Sequence, residues 1–237
     1  MKKATLASLA TVALASSAAM ADATFQASVG STTYEQEFAG SKWVEATYND
    51  LDIAGIFSID DSSYWGISYR TSLGAEHDGF FDVSQLSNDF ERTDFAISYG
   101  GTIGDSSFFT VGYQVGSSEM SNDPLLFSDF NTNTLDSSGF FMSVGVGFGA
   151  SESGQFSAFG GLAFMEAEDK TNVGFSEDYD LSVGFSWGIK YTGYFSDDSD
   201  MSWFVGYDGK YMTYDAAVEL VDELDESLNR LSFGVTF

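Results

Sequence analysis

The chain has 237 residues, with 9 Lys+Arg against 36 Asp+Glu and a formal net charge of -27. That balance argues against nucleic acid as a partner, because phosphate binding needs basic clusters. The absence of cysteine excludes disulfides and thiolate metal sites, and abundant aromatics set the chain apart from disordered sequences.

In chain order, Lys2 and Lys3 form a positive start, and Ala4 to Ala19 is a short run of small and apolar residues. Ala19-Met20-Ala21 then supplies a small-x-small cleavage pattern. Residues 1–21 are expected to be a signal peptide, cleaved before Asp22, leaving 22–237 as one domain. A transmembrane helical anchor is the other reading, but the run is short of a full span and ends at the cleavage pattern. No later segment is apolar for long enough to cross a bilayer as a helix.

Beyond the leader, hydrophobicity repeats with a period of two. Trp65, Ile67, Tyr69, Thr71 and Leu73 alternate with small or polar residues, as do Phe95, Ile97 and Tyr99, and then Phe109, Val111, Tyr113 and Val115. The pattern returns at Phe140, Met142, Val144, Val146 and Phe148, and again from Leu181 through Val183, Phe185, Trp187 and Ile189 to Tyr191. Side chains two apart in a strand share a face. In a soluble sandwich, the face opposite the bulky one would carry charge. Here that face is mostly Gly, Ser, Ala and Thr, which suits the lining of a narrow barrel whose bulky side faces lipid.

Short turns at Asp60–Ser63, Thr102–Ser106, Gly149–Gly154 and Phe195–Asp200 alternate with longer polar stretches. Those stretches are Ala39–Asn49, Ala75–Asp89, Ser118–Ser137, Glu166–Asp178 and Asp215–Ser227, and the sole proline, Pro124, lies in one of them. The expectation is all-β: a transmembrane, antiparallel, up-and-down β-barrel of about ten strands, within about eight to twelve. Aromatics near the segment ends, such as Trp65, Phe148, Phe156 and Trp203, fit headgroup-level girdles, although β-propensity alone also favours aromatics.

With its Ala19-Met20-Ala21 site, its alternating hairpins and its closing Leu231-Ser232-Phe233-Gly234-Val235-Thr236-Phe237, the chain resembles small bacterial outer-membrane barrels of the OmpA/OmpX-like β-barrel superfamily. The resemblance implies export to the bacterial outer membrane of a Gram-negative cell, with outer-membrane lipids and lipopolysaccharide as surroundings. It also implies that Leu231, Phe233, Val235 and Phe237 form the signal read by the barrel-assembly machinery. It identifies an architecture and not an activity.

By phase, Arg70, Arg92, Lys190, Lys210 and Arg230 fall on the small-residue face, together with Asp52, Asp94 and Asp208. In a barrel these charges point into the lumen, where partners must offset their desolvation. They form either a selective constriction or an ion-pair network that plugs a narrow barrel. Phe141, Phe159 and Phe204 share the inward phase and fill more of the space.

Catalysis has thin support. The single histidine, His77, sits beside Asp78 in a polar stretch that also holds Asp82 and Asp89. The aspartate–histidine pattern of omptin-type proteases is not recognisable there, and a general base needs an orienting partner. The acidic runs 166–169, 197–200 and 222–226 lack EF-hand spacing, so loose divalent cations at the loops are the most they imply. Gly100-Gly101-Thr102-Ile103-Gly104 lies at a hairpin turn and opens no helix, so it is no phosphate cradle. The sequence therefore implies no catalytic set, no metal site and no cofactor. It points to a non-enzymatic barrel with acidic surface loops and an envelope-structural or surface-interaction role. The alternative is a narrow, weakly selective channel for small solutes or ions.

Overall fold

The computed structural model describes residues 23–38, 40–79, 88–122, 132–172, 174, 176–195, 201–215 and 223–237. The expected signal peptide, Pro124 and the acidic run 197–200 lie outside them.

The strands are β1 (Ala23–Phe38), β2 (Ser41–Asp60), β3 (Ser63–Ser72), β4 (Ala75–Gly79), β5 (Asn88–Ile103) and β6 (Ser107–Asn122), followed by β7 (Thr132–Ser151), β8 (Gly154–Thr171), β9 (Ser176–Tyr194), β10 (Ser202–Tyr214) and β11 (Leu224–Thr236). Every pairing is antiparallel, and β1 pairs with both β2 and β11, so the sheet closes on itself. β3 and β4 share one stave. β3 lies between β2 and β5 near the short turns, and β4 takes over at the loop end, where His77 pairs with Ala46 and Ala75 with Phe90. The offset between them is a bulge, with Gly74 at φ 92°. The result is a closed antiparallel barrel of ten staves.

Hydrogen-bonded neighbours do not sit at equal height. Arg230 registers with Asp208, Asp208 with Gly188, Gly188 with Phe159, and Phe159 with Gly145. That path runs from the middle of β11 toward the short-turn end of β7, which is the tilt a closed barrel requires.

The strands run further toward the loop end than hydrophobic alternation suggests. Ala39–Asn49, read as a loop, is mostly β2, and the expected loop Ala75–Asp89 opens with β4. β6, β8 and β9 likewise extend into the stretches expected to be loops. The reason is visible on β11, where polarity exchanges sides halfway. In its first half the buried residues are Leu224, Glu226 and Leu228, while Asp225, Ser227 and Asn229 face outward. In its second half Leu231 and Phe233 are exposed, while Ser232 and Gly234 are buried. The period of two continues through the exchange, but the outer residues there are polar and look like coil.

On the outside, the apolar band is clearest on β7, where Phe140 is 67% exposed and Met142, Val144, Val146 and Phe148 follow it. This stretch has the length a tilted strand needs to cross hydrocarbon. Near the short turns, rings meet around much of the wall. Phe25 lies against Phe57 and Phe237 with centroids 6.0 and 6.3 Å away, Tyr99 lies between Trp65 and Phe109, and Tyr191 lies between Phe156 and Trp203. Above the band the outer wall turns acidic, with Glu35, Glu45, Glu119, Asp136 and Glu168.

Inside the loop end lies a packed apolar core. One cluster joins Tyr34, Val44, Ala46, Tyr48, Phe90, Met120 and Leu228. A second joins Leu135, Met165, Tyr179, Met212, Tyr214 and Leu224 with small neighbours. The barrel thus resembles an ordinary water-soluble fold above the band and reverses its polarity within it.

Candidate functional site

The charged lumen sits just beneath and within that core. β11 and β2 deliver the most buried pair. Arg230 donates from Nε and Nη2 to one carboxylate oxygen of Asp50, at 2.8 and 2.6 Å, and from Nη2 to Ser28 Oγ at 3.0 Å. Thr32 Oγ1 donates to the other Asp50 oxygen at 2.6 Å. Asp52, two residues along β2 on the same face, lies 3.8 Å from Arg230 Nη1 and accepts from Arg70 Nη2 at 3.3 Å.

A second group forms around the β3–β4 bulge. The backbone N–H of Arg92 donates to Ser72 Oγ at 2.9 Å. Its guanidinium grips Asp94 through two bonds of 3.0 Å, reaches Ser118 Oγ at 2.7 Å and also bonds Glu226. Tyr214 donates its hydroxyl to Glu226 at 3.1 Å, and the Tyr34 ring lies 5.4 Å from the Arg92 guanidinium. Each buried charge thus has a partner and extra hydrogen bonds, as a low-dielectric interior demands.

All eight charged positions singled out by phase lie on the inner face, but they do not act alike. Asp52, Arg70, Arg92, Asp94 and Arg230 join ion pairs. Lys190 stands apart toward the short turns, its ammonium 5.3 Å from the Phe204 ring. Among the described residues no opposite charge lies within 4.0 Å of Asp208 or Lys210. Phase counting missed two partners, Asp50 and Glu226. Asp50 is two residues from Asp52 and shares its phase, so its signal was present. Glu226 lay inside a stretch read as loop, which hid its phase.

Water reaches only part of this lumen. On β7 the inner positions Leu135, Ser137 and Gly139 are buried, whereas Phe141, Ser143, Gly145 and Gly147 are half-exposed. β8 changes between Gly161 and Ala163, and β6 between Gly116 and Ser118. The side chains of Arg70 and Asp94 are 28% and 30% exposed, while Arg92 and Glu226 above them are 3% and 1%. The lumen is therefore a vestibule reached by water toward the short turns on the β6–β8 side, lined on the other side by the buried Phe204, Gly206, Ser232 and Gly234, and closed at the loop end by the apolar core.

Leu231, Phe233 and Phe237 of the closing segment are exposed on the outer face. His77 lies on β4 and not in coil. Where band and collar meet, a groove of about 760 Å³ crosses the wall between Phe95, Val115 and Leu181 on one lip and Asp136 and Glu168 on the other. Among the described residues no three carboxylate or histidine groups converge to hold a metal.

No protein-family model and no curated protein matches the chain. Solved structures do. The outer membrane protease OmpT from Escherichia coli aligns over 92% of this chain and 96% of its own, with a TM-score of 0.59 and 9% identity. The translocator domain of the autotransporter NalP from Neisseria meningitidis aligns over 98% and 96%, at a TM-score of 0.48 and 10% identity. Neisserial surface protein A aligns over 90% and 95%, at 0.42 and 11%. At such identities the likeness concerns fold alone. The chain has the fold of a small Gram-negative outer-membrane β-barrel with transmembrane strands.

Proposed function

We propose that this barrel resides in the bacterial outer membrane as a plugged, non-enzymatic component, serving envelope integrity or surface interaction through its acidic outer end. The observation that carries this reading is a lumen both capped and self-neutralised. Among the described residues below the loop end, the cations Arg70, Arg92, Lys190, Lys210 and Arg230 share it with the carboxylates Asp50, Asp52, Asp94, Asp208 and Glu226. A selective filter presents a ring of one sign to passing ions. Here opposite charges largely bond one another beneath a dry core, which favours a structural network.

Lipopolysaccharide and outer-leaflet lipids are the proposed surroundings of the band and collar, and the assembly machinery the reader of Leu231, Phe233, Val235 and Phe237. The deciding experiment is planar-bilayer recording of the purified protein. Silence is expected. Stable unit currents that change in Arg230→Ala would replace the plug with a narrow channel, a reading supported by the water-exposed faces of Arg70 and Asp94. Peptide or lipid turnover abolished by His77→Ala would remove the non-enzymatic reading.

A further inference from the structure

The vestibule beneath the core has a mixed-charge ceiling whose members are unequally engaged. On the β3–β5 side, Arg70 and Asp94 are already held by Asp52 and Arg92. On the opposite wall, β10 presents Asp208 and Lys210 on the inner face, two residues apart and both half-exposed. No counter-charge lies within bonding distance of either among the described residues. Same-face neighbours on one strand sit roughly 7 Å apart, so these two stand side by side without closing a bond.

Their surroundings add direction. The edge of the Phe159 ring and the Cβ of Asp208 both crowd the place where a side chain on Gly188 would stand. Gly188 registers with Asp208, and Ser186 with Lys210. Asp208 therefore has the Phe159 ring as a neighbour across Gly188, and Lys210 has Ser186 opposite it on β9. Elsewhere the lumen sets an ammonium against a ring, where the Lys190 ammonium lies 5.3 Å from the Phe204 ring. Nearby, the Nε of Arg70 is buried with no acceptor.

We propose that the vestibule binds a small zwitterion entering from the short-turn end, its ammonium at Asp208 against Phe159 and its carboxylate at Lys210. A purely anionic solute would meet Asp208 and Asp94, and a purely cationic one would meet Lys210 and Arg70. Only a solute carrying both signs gives each of the two open groups its counter-charge at once. The blind end makes this a binding chamber, and the inference goes beyond the plug while relying on the same closed ceiling.

Glycine betaine is a suitable probe, because its quaternary ammonium suits an aromatic face. Calorimetric titration of the purified protein in detergent should show saturable binding. Asp208→Asn and Lys210→Gln should each weaken it by about tenfold or more, the worth of one charge-assisted hydrogen bond. Choline, which lacks the carboxylate, should bind more weakly, and its binding should depend on Asp208 but not on Lys210. Phe159→Leu, which keeps an apolar wall, should also weaken betaine and serves if a charge variant fails to fold. Heat-modifiable gel migration reports the fold of each variant. Absence of saturable betaine binding, or binding indifferent to both charge substitutions, would overturn the site. Unit currents in the same preparation would instead overturn the closed ceiling, so the two failures are distinguishable.

Discussion

Arg230 and Asp50 stand 180 positions apart in sequence, yet the guanidinium gives one Asp50 oxygen two hydrogen bonds, and that carboxylate is 0% exposed. The pair staples β11 to β2 across β1, beside the seam where the first and last strands close the barrel. Arg230→Ala leaves a buried carboxylate without its partner and should cost about 3–5 kcal/mol. The double replacement Arg230→Met with Asp50→Leu should cost less than either single change, since no orphan charge remains. Denaturant titration in detergent measures both. A double variant as unstable as the sum of the singles would contradict this account.

The apolar core at the loop end should be as sensitive as that of a soluble protein. Phe90 is fully buried, with its ring 5.0 Å from Tyr34 and 5.2 Å from Tyr48. Phe90→Ala is expected to destabilise by about 3–5 kcal/mol. A loss below about 1 kcal/mol, on the scale of an exposed surface change, would show that the cap is not packed.

Depth dependence tests the apolar band. Val144 lies mid-band on β7, whereas Ser138 faces outward just above Phe140. In lipid vesicles Val144→Arg should cost about 2–4 kcal/mol, and Ser138→Arg about 0–1 kcal/mol. Equal costs at the two sites would mean that the bilayer edge does not fall between them.

The collar predicts a pH profile. Lys170 reaches Glu168 at 2.6 Å and Asp136 at 3.2 Å, and Ser176 donates to Glu168 at 2.8 Å. Lys170, and then Ser176, hold Glu168 below the usual carboxylate range, while Glu168, and then Asp136, hold Lys170 above the usual lysine range. A lowered carboxylate stabilises above its ordinary range and loses that contribution as pH falls through the shifted value. A raised amine stabilises below its ordinary range and loses that contribution as pH rises through the shifted value. The β8–β9 hairpin should therefore hold steady through neutrality and loosen only in acid or strong alkali, modestly because the pairs are exposed. Amide exchange at Asn172 and Gly174, corrected for intrinsic rates, checks this. Loss of protection across the neutral range would refute it.

Much of the barrel is legible because one signal, alternation, reports both strand and facing. Phe140 to Phe148 and Leu181 to Tyr191 show it without interruption, since lipid demands bulk on one side. It fades at Glu35, Thr47 and Asn229, where water and not lipid faces the wall and polar residues take the outer positions. There the informative residues are the inner ones, Tyr34, Tyr48 and Leu228, and they read as stray hydrophobes in a polar stretch. The lumen charges follow phase, so Arg92 and Arg230 stand out from sequence. Which charges pair is not legible, because Arg92 and Glu226 meet only once a closed cylinder brings β5 and β11 to face each other.

The exchange of sides halfway up the strands has a consequence for how the molecule reaches its membrane. Glu35, Glu45, Glu119, Asp136 and Glu168 must be carried through hydrocarbon once, in the direction that leaves the short turns behind. Having crossed, they bar the return journey, since drawing that belt of carboxylates back would desolvate every one of them together. In a bilayer the outer wall therefore opposes inversion and withdrawal of the inserted barrel.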